Sequence, residues 1–213
     1  KISGNKVSIP LGGPANRQGR IAASNALGEN REYHGSLGTS VVRLFDAVVG
    51  SSGLSLVQAR RAGFDADAVT VHKEHHTSYY PGATPVTVHL VYESNTGIVL
   101  GGQTAGYAGA DKRLDVIATV ATGKMTIHDL ADIDLAYSPP IGTANDAINM
   151  AAFVAENRKS GFSRSLTAGE LDDYMVETSP VFVDVRDIFA FEAGHVAGAH
   201  HIPGTHLLQR IDE

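Results

Sequence analysis

Three tyrosines stand beside prolines, where a phenol hydroxyl could reach a ligand. Tyr79 and Tyr80 directly precede Pro81-Gly82, and Tyr137 directly precedes Ser-Pro-Pro. Proline restricts the preceding residue to extended conformations, and Pro-Gly predicts a turn, so we expect these tyrosines near a rim. A phenol can donate a hydrogen bond or a proton to a developing anion such as a thiolate. On the residues alone, ordinary packing with a buried ring and a wet hydroxyl remains the favoured interpretation.

Histidines raise the question of a metal site. His72, Glu74 and His76 alternate along a predicted strand, so their side chains could share one face. A polar strand edge facing solvent is the favoured interpretation, and we predict no metal site. The histidines at the far end of the chain are spaced as loop residues and fit no standard ligand pattern: they are His195, His200, His201 and His206.

Composition limits the possible functions. Of the 213 residues, 43% are hydrophobic, which is enough for a packed core. The net charge of -6 comes without a basic run, so neither nucleic acid nor an anionic membrane is expected as the main partner. There is no apolar run of bilayer length, and the cytoplasm is the expected compartment. The cysteine count is 0, so this chain can supply no disulfide, zinc thiolate or thiol nucleophile.

A helix is predicted after the Gly-Gly-Pro turn of "IPLGGPANRQGR". Pro14 suits the first turn of this helix, which is expected to run to about Leu27 and to pack closely through its small residues. The N-terminus of a helix also favours negative charge, so an anion or a cofactor is the alternative partner of this end. On spacing alone, packing of the helix on a sheet is favoured.

The remaining elements indicate an α+β fold. Residues 38–53 predict one bent or bulged strand, and residues 84–107 predict a β-hairpin around "SNTG". In the first strand of this hairpin Val86, Val88, Leu90 and Tyr92 alternate with the residues of the other face. Helices are predicted from an N-cap at Ser55 to Gly63, over 110–122, from Thr126, which with Asp129 resembles a capping box, and over 145–161. Strands and helices do not alternate strictly. After about residue 160 the sequence pattern changes. There, a helix capped by Thr167 precedes "PVFVDVRD", a run typical of a buried parallel strand.

Several stretches, in order, resemble the C-terminal part of a flavoenzyme family. They are "IPLGGPANRQGRIAASN", "YHGSLGTSVVRLFD", "HHTSYYPGA", "TGIVLGGQTAGYAGADKRLDVIATV" and "LAYSPPIGTANDAINMAAFVAEN". The family is the FAD-dependent pyridine nucleotide-disulfide oxidoreductases of the single-cysteine type. It includes coenzyme A-disulfide reductases, NADH-dependent persulfide reductases and NADH oxidases. The stretch "VFVDVRDIFAFEAGHVAGAHHIP" resembles the first half of a rhodanese domain.

The resemblance implies three parts of the chain. Residues 1–32 would hold the terminal helix of an FAD-binding domain, and residues 33–159 a dimerisation domain with an antiparallel sheet and flanking helices. Residues 160–213 would form the N-terminal half of an α/β rhodanese-like domain. The chain has no GxGxxG motif and no cysteine. We therefore expect it to be an inactive internal fragment that binds neither FAD nor NAD(P)H by itself.

The resemblance also implies roles for individual residues in an intact homodimer. Tyr79 or Tyr80, together with Tyr137, would contact a coenzyme A persulfide or mixed disulfide in the partner subunit's site and stabilise the released thiolate. The start of the first helix would lie at the edge of the flavin; its residues are Leu11, Gly12, Gly13 and Asn16. Oxygen as the substrate, and a stand-alone dimerisation or binding module without activity, remain open as alternatives.

Overall fold

The chain folds into two compact units. The computed structural model describes residues 1–166 and 168–210, and its units are Lys1–Ser165 and Leu166–Glu213. The sequence predicts a boundary near residue 160. Thr167, the predicted helix cap, lies outside the described residues.

The first unit contains five strands and five helices among its described residues. Its strands are β1 (Ser40–Leu44), β2 (Ala47–Gly53), β3 (Ala66–Glu74), β4 (Pro85–Glu93) and β5 (Val99–Gly106). Its helices are α1 (Gly12–Ala26), α2 (Leu56–Arg61), α3 (Ala110–Gly123), α4 (Ile127–Asp132) and α5 (Ala147–Ser160).

The strands form one antiparallel sheet in the order β1-β2-β5-β4-β3. Strand β4 is central to the packing because its alternate side chains all face one layer. Val86, Val88, Leu90 and Tyr92 are fully or almost fully buried, and they pack with residues of α3 and α5 in one cluster. A smaller cluster around Ala59 joins α2 to the other side of β4 through Val91. The α+β fold with an antiparallel sheet and flanking helices is confirmed.

The single bent strand predicted over residues 38–53 is wrong. The segment folds into two strands, β1 and β2, which pair antiparallel with Leu44 opposite Ala47. The turn between them is Phe45-Asp46, and Phe45 has a φ of 55°. A β-hairpin turn needs positive φ, but phenylalanine seldom adopts it, so the sequence carries no usual turn signal here.

Local capping explains where three helices begin. Ser55 and Gln58 form a capping box at α2, Thr126 and Asp129 form one at α4, and Asp146 caps α5. Each cap satisfies backbone N–H groups that have no partner within the helix. The caps at Ser55 and Thr126 agree with the sequence-based predictions.

The second unit is small in its described part. Helices α6 (Ala168–Thr178) and α7 (Ile188–Ala193) accompany a parallel pair of short strands, β6 (Val183–Asp184) and β7 (His200–His201). A parallel strand is found where the sequence predicts one, but Val183 is 43% exposed, so the expected burial is wrong within the described residues.

Among the described residues, no helix combines the length and the apolar character that crossing a membrane requires.

Candidate functional site

Two loops of the first unit carry the three tyrosines. The first, residues 75–84, connects β3 to β4 and holds Tyr79 and Tyr80; the second, residues 133–146, connects α4 to α5 and holds Tyr137. The hydroxyl of Thr77 in the first loop donates a hydrogen bond of 2.8 Å to the carbonyl of Pro139 in the second. The structure therefore joins two loops that lie about 60 residues apart in the sequence.

All three tyrosines are exposed. The exposed fractions are 76% for Tyr79, 44% for Tyr80 and 48% for Tyr137. Among the described residues, none of the three hydroxyls is hydrogen-bonded to another protein group. The Tyr80 ring meets the ring of His76 edge-on at 5.8 Å, and its backbone N–H donates to the Thr77 carbonyl. Exposed hydroxyls without a protein partner are free to hydrogen-bond to a ligand.

The loop of Tyr137 is held through its main-chain carbonyls. Pro139 and Pro140 have no N–H, so this part of the loop has fewer backbone donors for hydrogen bonds within the loop. Side chains supply donors instead: Thr77 to Pro139, Lys112 to Ala136 at 3.2 Å and Lys73 to Asn145 at 2.7 Å. The lysines come from α3 and β3, so the rigid sheet layer fixes the loop.

A buried ion pair lies beneath both loops. Arg113 of α3 and Asp146, the cap of α5, are 1% and 3% exposed and meet at 2.6 Å. The guanidinium also donates to the carbonyls of His75 and Gly109, at 2.8 and 3.0 Å. A buried charge is tolerated when it is paired and hydrogen-bonded, and all three guanidinium nitrogens of Arg113 donate hydrogen bonds.

Sequence reasoning missed Arg113, although a signal was present. Arg113 falls on the same face of α3 as Ala110, Ile117 and Val120, all of which are buried. An arginine among apolar positions of a core-facing stripe indicates a buried partner. Nothing local in the sequence points to Asp146, which lies 33 residues away.

Gly109 is required next to this arginine. It precedes α3 with a φ of 67°, a left-handed conformation that glycine adopts at little cost. A methyl group on Gly109 would overlap Nη1 of Arg113. Both the backbone and the space therefore demand glycine here.

The first helix presents an uncapped N-terminus. Leu11 occupies the cap position without a side-chain hydrogen bond, and the first turn contains no acidic residue. Leu11, Gly12 and Gly13 line a cavity of about 950 Å³ together with Arg17 and Arg20. Asn16 lies one turn further along and is exposed. Of the 15 residues in α1, Pro14 is buried, so the predicted close packing of the small residues is not found among residues 1–166 and 168–210.

The prediction of a solvent-facing strand of histidines holds only in part. His72 lies on β3, at the edge of the sheet, whereas His76 lies in the loop after β3 and is 4% exposed, so its predicted exposure is wrong. His72 and His89 hydrogen-bond to Thr87 and Thr70 across the sheet, at 2.9 and 2.8 Å. Burial lowers the pKa of His89, which favours the neutral ring. Within residues 1–166 and 168–210, no group of three or more histidines and carboxylates could hold a metal ion.

Tyr92 shows what a structural tyrosine looks like in this fold. It is 1% exposed on β4, and its hydroxyl donates to Asp67 at 3.2 Å. Burial and the neighbouring Asp67 raise the pKa of Tyr92 well above its ordinary value. Tyr79, Tyr80 and Tyr137 differ from Tyr92 in being exposed.

A known domain pattern covers this part of the chain. The pattern described as "Pyridine nucleotide-disulphide oxidoreductase, dimerisation domain" matches residues 39–148, more than half of the 213 residues. The chain belongs to that family. The rhodanese-like domain pattern matches residues 167–213. The family predicted from the sequence is therefore confirmed, and the dimerisation domain contains both tyrosine loops.

A curated relative and solved structures agree with this family. A coenzyme A disulfide reductase of Staphylococcus aureus is 32% identical over 150 residues, which are 70% of this chain and 34% of that protein. The chain thus spans about a third of the length of the curated relatives it matches. The crystal structure of reduced Bacillus anthracis CoADR-RHD matches 100% of this chain and 38% of that one, with a TM-score of 0.92 and 38% identity.

Two further solved structures come from similar oxidoreductases. The NAD-dependent persulfide reductase from A. fulgidus is similar over 100% of this chain and 38% of its own, with a TM-score of 0.91 and 32% identity. The water-forming NADH oxidase from Lactobacillus brevis is similar over 74% of this chain and 35% of its own, with a TM-score of 0.71 and 26% identity. The dimerisation domain therefore belongs to an oxidoreductase family.

Proposed function

We propose that this chain supplies the dimerisation segment of a cytoplasmic, FAD- and NAD(P)H-dependent oxidoreductase that reduces coenzyme A disulfide or persulfide. In this proposal two copies pair, and the tyrosines of one subunit act in the active site of the other. The observation that carries the proposal is the hydrogen bond between Thr77 and Pro139, because it joins two loops that bear three exposed, unbonded tyrosine hydroxyls.

The tyrosines would act as hydrogen-bond and proton donors to the sulfur atoms of the broken bond. Two electrons break the sulfur–sulfur bond and leave two thiolates from a disulfide, or a thiolate and a hydrosulfide from a persulfide; these anions need protons or hydrogen-bond donors. A phenol hydroxyl can donate a hydrogen bond to the departing sulfur and follow with its proton. Tyr80 is held against His76, whereas Tyr79 is the more exposed of the adjacent pair. Either can serve as the partner of Tyr137.

The residues of α1 fit one edge of a flavin. Their N–H groups carry no competing side-chain cap, and the Cβ positions of Gly12 and Gly13 leave open approach to the helix end. Leu11, Gly12, Gly13 and Asn16 would hold that edge, with the helix dipole favouring negative charge. The bound flavin would supply the electron pair for sulfur reduction. The rest of its site, and the site for NAD(P)H, would lie on other domains of the polypeptide.

Dimerisation can be measured on this chain directly. Stable homodimer interfaces are large and apolar, and we expect sedimentation at micromolar concentration to show a dimer formed through about residues 33 to 155. A monomer under these conditions would contradict the pairing proposed here.

Substitution in the flavin-loaded polypeptide that carries this chain tests the tyrosines. Changing Tyr137, and each of Tyr79 and Tyr80, to Phe keeps the ring and removes the donor. Turnover of coenzyme A disulfide or persulfide is expected to fall by roughly a hundredfold or somewhat less, near the lower end of what a positioned proton donor contributes. Reduction of the flavin by NAD(P)H is expected to stay unchanged, because no sulfur substrate takes part in it.

Tyr174→Phe provides the matched control. Tyr174 is also exposed, at 40%, but it belongs to the second unit. Its removal should leave sulfur turnover intact. If the variant with all three loop tyrosines changed to Phe reduces the sulfur substrate at the wild-type rate, the proposed role is wrong. If only oxygen is reduced, the oxidase alternative replaces the sulfur substrate.

A further inference from the structure

We infer that Arg113 is the positioning residue that holds the two tyrosine loops in one arrangement. The inference rests on the proposed function, since it concerns how the proposed donors are placed. Arg113 itself is buried and cannot touch a substrate. Its effect on the reaction must therefore pass through the loops.

Arg113 contacts both loops at once. Nε and Nη2 donate to the two carboxylate oxygens of Asp146, at 2.9 and 2.6 Å. Nη2 also donates to the carbonyl of His75, and Nη1 to that of Gly109. His75 begins the loop of Tyr79 and Tyr80, and Asp146 ends the loop of Tyr137. One planar group thus sets the distance between one end of each loop.

The contacts continue from His75 towards the tyrosines. His76 Nδ1 lies 3.0 Å from the carbonyl of Thr77, and the His76 ring supports the Tyr80 ring. The same Thr77 carbonyl accepts the N–H of Tyr80, while the Thr77 hydroxyl reaches Pro139. A shift of the His75 carbonyl therefore moves the turn that presents Tyr80 and the bond that joins the loops.

The contacts continue from Asp146 as well. Asp146 caps α5, and Asn149, the third residue of the helix, donates to the carbonyl of Ile133 at 3.0 Å. The first turn of α5 thus holds both ends of the loop that carries Tyr137. Because Arg113 fixes Asp146, the same guanidinium holds both the loop of Tyr137 and the loop of Tyr79 and Tyr80.

Lysine cannot replace this function. A guanidinium presents its donors in a rigid planar fork, whereas an ammonium is a compact point charge on a flexible stem. Four acceptor atoms surround Arg113: the two carboxylate oxygens of Asp146 and the carbonyl oxygens of His75 and Gly109. Arg113→Lys keeps the charge but cannot donate to all four acceptor atoms at once. The ion pair with Asp146 can persist, but no single side chain then contacts both loops.

Hydrogen exchange on the chain tests the positioning directly, without cofactor or turnover. In Arg113→Lys we expect faster exchange of the amides in residues 75–84 and 133–146, and unchanged exchange in the β4–β5 turn. Arg158→Lys is the matched control, because Arg158 pairs with Asp67 at 2.6 Å, away from both loops. Protection in the two loops equal to that of wild type would overturn the inference.

A double-mutant cycle in the flavin-loaded polypeptide tests the consequence for the reaction. Because a misplacement of about 1 Å can cost up to a hundredfold in rate, we expect Arg113→Lys to lower kcat for the sulfur substrate by roughly tenfold, with a much smaller change in KM. In a background with all three loop tyrosines changed to Phe, the same substitution should lower kcat little further. A merely structural role would lower kcat by the same factor in both backgrounds, and that outcome would overturn the inference.

The two proposals fail in different ways. Full activity of the tyrosine-to-Phe variant, with loosened loops in Arg113→Lys, would overturn the proposed function. A tyrosine effect without any Arg113→Lys effect would overturn the positioning role alone. If Arg113→Lys does not fold, Asp146→Glu shifts the anchoring carboxylate by one methylene with the charge retained, and the same cycle and exchange measurements decide.

Discussion

Asp146→Asn is the sharpest stability test of the buried ion pair. Asparagine is about as good a helix cap as aspartate, so the cap of α5 should survive the substitution. What disappears is the negative charge beside Arg113, which is 1% exposed. The experiment therefore isolates the cost of leaving a buried guanidinium without its counter-charge.

The magnitude follows from the contacts that remain. Breaking a buried pair by removing one partner costs about 3–5 kcal/mol. Arg113 would keep the carbonyls of His75 and Gly109, and the Asn oxygen could still accept one bond. We therefore expect a loss of about 3 kcal/mol from the free energy of unfolding. Asp146→Ala should cost about 1 kcal/mol more, because the cap is lost as well.

Urea unfolding followed by far-UV circular dichroism measures this loss, with a separate transition allowed for each unit. The m value of the first unit should not change, since the surface exposed on unfolding is the same. Asp129→Asn is the control: the Asp129 carboxylate also accepts hydrogen bonds at a helix start, from the N–H and the hydroxyl of Thr126, but it faces solvent and has no buried partner. An Asp146→Asn loss below about 1 kcal/mol, or one equal to the control, would refute the reasoning about the buried charge.

Three further outcomes are expected. Gly109→Ala should destabilise the first unit by roughly 1–3 kcal/mol, because it combines positive φ with overlap on Arg113; in thermal unfolding, Gly161→Ala, with similar φ but open space around it, should cost less. The hydrogen bond between His128 and Glu156 raises the pKa of His128. The pair therefore stabilises the fold at pH values below the pKa of His128 in the unfolded chain, and this stabilisation is lost as the pH rises through the pKa of His128 in the folded chain. The stability difference between wild type and His128→Gln should therefore be larger at acidic than at alkaline pH, and smaller in high salt; an inverse trend would contradict the assignment. Finally, the chain should produce no thiocyanate from thiosulfate and cyanide, because this transfer needs a thiolate and the chain has no cysteine; activity that survives purification would contradict the rhodanese interpretation.

Local patterns predicted much of the fold. The alternation of Val86, Val88, Leu90 and Tyr92 identified the buried face of β4, since residues two apart on a strand share a side. The capping boxes at Ser55 and Thr126 marked helix starts to the residue. These features depend on neighbours in sequence, which a single chain displays fully.

Long-range features escaped the same reasoning. The β1–β2 turn at Phe45 has a backbone conformation that its residue type does not announce. The pairing of Arg113 with Asp146 joins α3 to the cap of α5. The apolar stripe around Arg113 indicates a buried partner, but no local pattern identifies Asp146 as that partner. Tyr79, Tyr80 and Tyr137 were selected from the sequence, but the bond between Thr77 and Pro139 that joins their loops needed the structure. The roles of these tyrosines, and of Leu11, Gly12, Gly13 and Asn16, stay predictions.

The anchoring of residues 133–146 through carbonyl oxygens has an evolutionary consequence. Every amino acid carries the same carbonyl, so Thr77, Lys73 and Lys112 hold this loop without regard to its side chains. Substitutions at exposed loop positions such as Ile141 can therefore accumulate while the backbone path is kept. The exposed side chains around Tyr137 can therefore differ among related proteins while the loop keeps its backbone path. Mutant libraries for altered substrate preference are best built at these positions.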